Sequence, residues 1–172
     1  VLSMILDSPT SVVGRIAGHC MGGGVGLAAA CDISVITEDA RVGFTEVRIG
    51  VAPAMISVVC LPKLRRADAS ELFLSGERIT ATRAVEVGLL NRVVPADELD
   101  AAVDAVVENV VAGGPNALAA AKRLVNEVPG MDRARAFAET ESLSAELFGS
   151  DEARDGMAAW REKRPAPWVP GA

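Results

Sequence analysis

The sequence is poor in aromatic residues and has no excess of basic charge. Phe, Trp and Tyr make up 3% of its 172 residues and tyrosine is missing altogether, whereas half of the residues are hydrophobic, mainly aliphatic residues and alanine. This composition favours closely packed helices over an all-β sandwich. The formal net charge of −6 argues against nonspecific nucleic-acid binding, because neutralising phosphates requires a surplus of Lys and Arg. A local site for an anionic ligand remains open, since helix N-termini bind anions.

The sequence also lacks paired cysteines, metal-ligand spacings and long apolar runs. Cys20, Cys31 and Cys60 lie in apolar surroundings without a CxxC pattern, so we predict no metal site and a reduced, cytoplasmic compartment. No run approaches the ~20 apolar residues that span a bilayer, and the N-terminus has no signal-peptide pattern. We therefore expect a soluble protein without a membrane partner.

The order of hydrophobic patterns predicts an α/β fold. A strand over 11–17, a glycine cluster, a short helix over 25–30 and a strand over 33–37 follow one another. This alternation favours a parallel sheet with crossover helices, and such sheets bind ligands at the carboxyl ends of their strands. We predict two parts, an α/β core over 1–112 and a helical extension over 113–172 that serves oligomerisation and covers the pocket.

Helix start and stop signals become frequent after residue 68. Capping residues, prolines and glycines delimit predicted helices over 81–87, 98–111, 115–125, 132–148 and 151–163. Residues 1–7, in contrast, have the pattern of the end of an amphipathic helix without a start signal. We therefore expect upstream sequence to be missing.

The glycine cluster Gly22 to Gly24 admits three interpretations. Gly24, Gly26 and Ala29 match the dinucleotide-binding pattern G-x-G-x-x-A, but the acidic residue of such a site, Glu38, comes only about 14 rather than about 20 residues after the first glycine. Alternatively, backbone amides at the start of the helix donate hydrogen bonds to a developing negative charge, as in an oxyanion hole. The third interpretation is that the glycines only permit close packing of a helix on a strand.

Two segments taken together are more specific than the glycines alone. Residues 17–32 read AGHCMGGGVGLAAACD, and residues 40–53 read ARVGFTEVRIGVAP. The pair resembles the signature of the crotonase superfamily, the enoyl-CoA hydratase/isomerase family, in which a triple-glycine loop, Ala-Cys-Asp and Glu-x-x-x-Gly-x-x-Pro occur in this order and spacing. Residues 74–79, 84–94 and 155–165 agree with the family as well. The resemblance implies a crotonase-like fold, a spiral of βα units with a helical C-terminal extension, whose N-terminal part is missing here.

The resemblance implies roles for four residues. Gly23 would supply one of two backbone amides that hold the thioester oxygen of an acyl-CoA substrate, and the second donor would lie upstream of Val1. Glu46 would be the catalytic acid and base. Gly22 and Ala54, the latter near the attacking water, would contact the substrate. Coenzyme A is part of that substrate, so no separate cofactor is implied, and the family's usual assembly implies a homotrimer or a dimer of trimers.

Gly26 is the main departure from the family pattern. Hydratases of the two-glutamate type carry their other carboxylate at this position, whereas a single carboxylate suffices for a double-bond isomerase. The run from Glu46 to Ala54 resembles methylglutaconyl-CoA-hydratase-like members, some of which have glycine at the first site. Our first hypothesis is therefore hydration of a 2-enoyl-CoA, and the alternatives are isomerisation by Glu46 or a noncatalytic acyl-CoA-binding protein. The residues after Pro53 also replace a glycine-rich stretch and change the acyl pocket.

Overall fold

The computed structural model describes residues 1–171 and divides into two compact units. Unit 1 holds Val1–Leu6 and Val12–Val106, and unit 2 holds Asp7–Ser11 and the residues from Val107 onward. The helices and strands up to residue 111 are α1 (Leu2–Asp7), β1 (Val13–Ile16), β2 (Cys20–Met21), α2 (Gly23–Ala30), β3 (Ile33–Thr37), β4 (Arg41–Gly43), α3 (Ala54–Cys60), α4 (Arg66–Ser75), β5 (Arg78–Thr80), α5 (Ala81–Glu86), β6 (Arg92–Val94) and α6 (Leu99–Val111). Short 3-10 turns lie at Thr45–Ile49, Leu61–Lys63 and Ala96–Glu98.

Six short strands form two three-stranded sheets in unit 1. The first sheet is parallel throughout in the order β1-β3-β6, with Val13 opposite Ile33 and Val35 opposite Arg92. The second sheet has the order β2-β4-β5; β2 and β4 are parallel, but β4 and β5 are antiparallel. The predicted parallel arrangement is therefore confirmed except at β5, which runs the other way.

The core of unit 1 lies between these sheets and α2 to α5. The small residues of α2 allow a close approach of α3, and the three consecutive alanines Ala28 to Ala30 are all buried. Phe44, which is 1% exposed, stacks on Phe73 with ring centroids 4.2 Å apart. Because Phe44 follows β4 directly, its burial fixes where the chain goes next.

Ser34 and Asn91 connect β3 to the turn before β6. The buried Ser34 donates its amide to the Asn91 side-chain oxygen at 2.9 Å, and the amide of Asn91, an exposed residue, donates to the Ser34 hydroxyl at 3.1 Å. The polar groups of Ser34 are thus satisfied, and the turn before β6 is held against β3.

Unit 2 contains α7 (Pro115–Glu127), a 3-10 turn at Val128–Gly130, α8 (Arg133–Phe148) and α9 (Asp151–Glu162). Pro115 occupies the first position of α7, as the sequence predicts. Asp132, predicted as part of the helix over 132–148, instead caps α8 by accepting the Arg135 amide at 3.0 Å. The Glu152 carboxylate accepts the Asn116 amide at 3.0 Å and so caps α7 from another helix. In the described part of the chain, no helix combines the length and the apolar character that crossing a membrane requires. The separate domains proposed for 1–112 and 113–172 stay a prediction.

Some helices and strands begin or end at different residues from those predicted. The predicted strand 11–17 is limited to Val13–Ile16, and the helix predicted from 98 begins at Leu99 after a 3-10 turn. Helix α3, at seven residues, is too short for its hydrophobic pattern to have been recognised. The strand Ile33–Thr37 and the Thr80 cap of α5, whose hydroxyl accepts the Arg83 amide, agree with the sequence.

Asp68 is a buried carboxylate that pairs with two more exposed arginines, and its effect on stability should depend on pH. Its carboxylate accepts a hydrogen bond from Arg65 at 2.7 Å and another from Arg83 at 3.0 Å. The hydrogen bond from Arg65, above all, lowers the pKa of Asp68. A carboxyl whose pKa is depressed by folding stabilises the native state above its unfolded pKa of about 4, and this contribution is lost as the pH falls through the folded value.

We therefore expect Asp68→Asn to lower the melting temperature at pH 7, with a difference from the unsubstituted protein that narrows as the pH falls below about 4. Thermal unfolding followed by circular dichroism between pH 7 and pH 3 measures this. Asp104→Asn changes an exposed aspartate of α6 and serves as the control, with no pH-dependent difference expected. A Tm difference for Asp68→Asn that stays constant over the whole range contradicts the assignment.

Candidate functional site

A sharp glycine turn connects β2 to α2. Gly22, the residue between them, is buried and has φ 52° and ψ −122°, a backbone conformation that residues with a side chain rarely adopt. Its amide donates to the carbonyl of Gly43 at 3.0 Å, which extends the contact between β2 and β4 by one residue. Gly22 thus sets the direction in which α2 leaves the sheet.

The first two amides of α2 are available to a ligand. Gly23 and Gly24 are exposed, and within residues 1–171 neither amide has a hydrogen-bond acceptor. A β-carbon built on either residue has no atom within 4 Å, so the space in front of them is open. The first N–H groups of a helix carry partial positive charge and attract developing negative charge. Gly23 therefore has the geometry that an oxyanion donor requires.

Glu46 lies on the 3-10 turn that follows β4. The turn closes with the Glu46 carbonyl accepting the Val51 amide at 3.2 Å and with Gly50 in a left-handed conformation, φ 80°. A methyl group built on Gly22 would lie 3.1 Å from Glu46 Oε1 and 3.2 Å from its carboxyl carbon. The carboxylate is therefore in direct contact with the glycine turn.

One oxygen of this carboxylate has no partner. Glu46 Oε2 is buried and, among the described residues, makes no hydrogen bond. An unsatisfied buried oxygen costs about 1–3 kcal/mol or more, so such groups in native proteins often have a functional explanation. The unpaired Glu46 oxygen lies at the glycine turn, and the two amides that follow this turn have no acceptor in the described chain. These are the groups needed to hold an oxyanion and move a proton, and the roles of Glu46 and Gly23 stay predictions.

The other candidates occupy different places. Ala54, the first residue of α3, is exposed, and its amide donates to the Ala52 carbonyl at 2.8 Å rather than pointing freely outward. Gly26 lies inside α2 rather than in a loop and is covered by Ile56, which does not fit the second glycine of a dinucleotide site. Nδ1 of His19 accepts a hydrogen bond from the Arg41 amide at 3.0 Å, which connects the residue before β2 to the first residue of β4.

Two buried thiols lie in unit 1, and neither is a ready nucleophile. Burial raises the pKa of Cys60 to about 12, and the nearby charge of Glu46 adds to the effect, so this thiol is protonated at neutral pH. Burial raises the pKa of Cys20 as well. Among residues 1–171, no group of three or more His, Cys, Asp and Glu side chains is arranged to hold a metal ion.

Arg48 attaches the turn that carries Glu46 to the end of α4. Its guanidinium donates to the Gly76 carbonyl at 2.8 Å and to the Ser75 carbonyl at 3.2 Å. These carbonyls belong to the last turn of α4, where the helix dipole favours a positive charge. Sequence reasoning did not identify this contact, because nothing in the local pattern pairs residues so far apart.

We expect Arg48→Met, which keeps most of the side-chain length and removes the donors, to lower the free energy of unfolding by about 1 kcal/mol. The turn that carries Glu46 is then less firmly held. For the reaction proposed below, kcat should therefore fall several-fold while KM changes little. Urea unfolding and steady-state kinetics measure the two effects. Arg66→Met removes an exposed arginine of α4 and is the matched control; equal effects of the two substitutions would reject this role for Arg48.

Comparisons with known proteins identify the family of this chain. The family model described as enoyl-CoA hydratase/isomerase matches residues 1–170. A protein of Thermus thermophilus is 34% identical over 157 residues, which are 91% of this chain and 62% of that protein. The short-chain-enoyl-CoA hydratase of Clostridium acetobutylicum is 30% identical over 161 residues, 93% of this chain and 61% of that enzyme. The crystal structure of an enoyl-CoA hydratase from Mycobacterium smegmatis superposes with a TM-score of 0.91 at 30% identity, over 97% of this chain and 65% of that one.

The fold is that of the crotonase class. The chain belongs to the enoyl-CoA hydratase/isomerase family. It spans about three fifths of the length of the curated relatives that it matches.

Proposed function

We propose that the protein adds water to the double bond of a 2-enoyl-CoA thioester. The observation that carries this proposal is the unpaired Glu46 Oε2 next to a glycine turn whose following amides have no acceptor in the described chain. Family membership supports an enzyme that acts on acyl-CoA thioesters. The hydratase names of relatives at 30% identity favour hydration. Because the chain covers only part of its relatives, the activity of the whole protein is a proposal throughout.

In the proposed mechanism the thioester oxygen accepts a hydrogen bond from the Gly23 amide. As the water oxygen bonds to C3, the electrons of the C2–C3 double bond move toward C2 and the thioester carbonyl, and an enolate forms. Fixed amide dipoles at the start of α2 stabilise that charge without reorganisation. The water loses one proton, C2 gains one, and the enolate electrons return to form the new C2–H bond.

Glu46 performs both proton transfers in this scheme. A carboxylate that takes the water proton becomes a carboxylic acid, which can then deliver a proton to C2 and return to the carboxylate form. Oε1 faces Gly22 and Oε2 is unpaired, which leaves at least the second oxygen free for a ligand. No cofactor other than the coenzyme A of the substrate enters the scheme.

Isomerisation is the second candidate function, and Gly26 is the observation that favours it. This residue has no side chain, so α2 provides no second carboxylate at the position that two-glutamate hydratases use. A single Glu46 could remove a proton from C2 of a 3-enoyl-CoA and return it to C4 through the same stabilised enolate. Both functions thus depend on the same two groups.

Kinetics of the full-length protein on two substrates separate these functions. We expect kcat/KM for hydration of a short 2-enoyl-CoA such as crotonyl-CoA to exceed kcat/KM for isomerisation of a 3-enoyl-CoA by about tenfold or more, since a factor of ten corresponds to only 1.36 kcal/mol of barrier. The reverse preference would assign the protein as an isomerase. No turnover of either substrate combined with tight acyl-CoA binding would instead assign a noncatalytic acyl-CoA-binding protein.

The assembly and the compartment are also proposals. We expect a homotrimer or a dimer of trimers, and the many exposed apolar side chains of unit 2, including Phe137, Phe148 and Trp160, support an interface there. Light scattering on the purified full-length protein measures the mass, and a monomer would reject this expectation. A cytoplasmic location stays a prediction.

A further inference from the structure

Gly26 and Ile56 occupy a single space between α2 and α3. Gly26 lies in the first turn of α2, four residues after the glycine turn at Gly22. The built β-carbon of Gly22 meets Glu46, and that of Gly26 meets Ile56. Ile56 is 5% exposed and lies in the first turn of α3.

The distances leave no room for a side chain at position 26. A β-carbon built there would lie 2.7 Å from Ile56 Cβ, which is closer than two such atoms approach in proteins. Rotation about χ1 cannot relieve this overlap, because Cβ does not move with χ1 and because a β-branched residue in a helix has one strongly preferred rotamer. The Ile56 Cα atom is 3.5 Å away, an ordinary contact. Only glycine at position 56 would therefore admit a side chain at position 26.

We infer that Ile56 is the specificity-determining residue that limits this site to one carboxylate. It fills, with apolar atoms, the volume that the side chain of a glutamate at position 26 would have to occupy. Helix α2 therefore contributes no second carboxylate from this position, and in the proposed mechanism the proton transfers fall to Glu46. The inference rests on the proposed function for its chemical meaning, but its steric part does not depend on any activity.

The steric part is tested by a double-mutant cycle in thermal unfolding. Gly26→Ala should lower the Tm by roughly 3–10 °C through overpacking, and it should lower the Tm much less, by under half as much, in an Ile56→Gly background. Ile56→Val is the matched control, because valine keeps the β-carbon and gives no such relief. Equal Tm losses from Gly26→Ala in all three backgrounds would overturn the inference.

The chemical part is tested by adding the missing carboxylate. Gly26→Glu combined with Ile56→Gly should raise kcat for hydration about tenfold or more above Ile56→Gly alone, within the range that one positioned acid or base contributes. The plot of kcat against pH for this double variant should be bell-shaped with two limbs, whereas that for Ile56→Gly alone should have one limb. Gly26→Glu without the second change should be unstable or inactive.

Several results would count against Ile56. The first comparison is between Gly26→Glu alone and the double variant. If the two have equal Tm and the same two-limbed pH profile of kcat, Ile56 excludes nothing. A double variant that folds but gains neither rate nor a second limb would also overturn the inference. If the unsubstituted protein hydrates no enoyl-CoA while the Tm coupling is found and the double variant gains hydration, the proposed function fails and the role of Ile56 stands.

Discussion

Glu46→Gln should lower kcat for hydration by about 10²–10⁴-fold while leaving KM nearly unchanged. Glutamine has the same shape, so contacts with the glycine turn are kept, but its amide cannot accept and return a proton at neutral pH. A loss in kcat without a loss in substrate binding is typical of a group that acts only in the transition state. Steady-state kinetics on crotonyl-CoA, with melting temperature as a check on folding, measure the effect.

Glu38→Gln is the control for this experiment. Glu38 is an exposed carboxylate directly after β3, and it is also the acidic residue that a dinucleotide-binding interpretation would require. We expect its replacement to leave kcat and KM unchanged. Hydration that survives Glu46→Gln within about threefold would remove Glu46 from the mechanism, since a positioned acid or base is worth far more.

Gly22→Ala is expected to have the second largest effect. At φ 52° and ψ −122°, a residue with a β-carbon is strained by about 1–3 kcal/mol, and the new methyl group would lie 3.1 Å from Glu46 Oε1. Either the turn relaxes, which displaces the Gly23 amide, or the carboxylate moves. Loss of one oxyanion donor alone costs about 10²–10³ in kcat, so we expect a decrease of at least that size.

Activity and stability must be measured together for Gly22→Ala. The expected Tm loss is several degrees, whereas the loss of kcat should persist well below the lowered Tm. Gly18→Ala is the matched control, because Gly18 lies in the same chain segment, has no positive φ and has no atom within 4 Å of a built β-carbon. A Gly22→Ala protein with normal kcat would mean that the turn does not position the site.

Local signals predicted much of the fold. The β-branched run Ile33 to Thr37 forms a strand with the predicted limits, and Thr80, one of two predicted candidates together with Thr82, caps α5. These features depend on residues that are close in the chain, where side-chain periodicity and capping hydrogen bonds act directly. Helix content and the parallel pairing of most strands follow from the same patterns.

Contacts between distant residues could not be predicted from such patterns. The antiparallel pairing of β5, the contact of Arg48 with Gly76 and the packing of Ile56 on Gly26 each join segments whose sequences carry no sign of the partner. Strands of two or three residues are also too short to show alternation. Proximity of Gly22 and Glu46 followed only from family resemblance, because the residues themselves left the glycine cluster with three interpretations.

The pairing of β2 with β4 has a consequence for how the protein can vary. Gly22 follows β2 at once, Glu46 comes three residues after β4, and the ladder between these strands is two residues long. The segment from Gly23 to Ala40 leads away from the β2–β4 pair and back to it. A longer or shorter surface loop in this segment would change the number of residues between Gly22 and Glu46 but not their distance in space. We therefore expect that the length of such a loop can vary while Gly22 and Glu46 keep their positions.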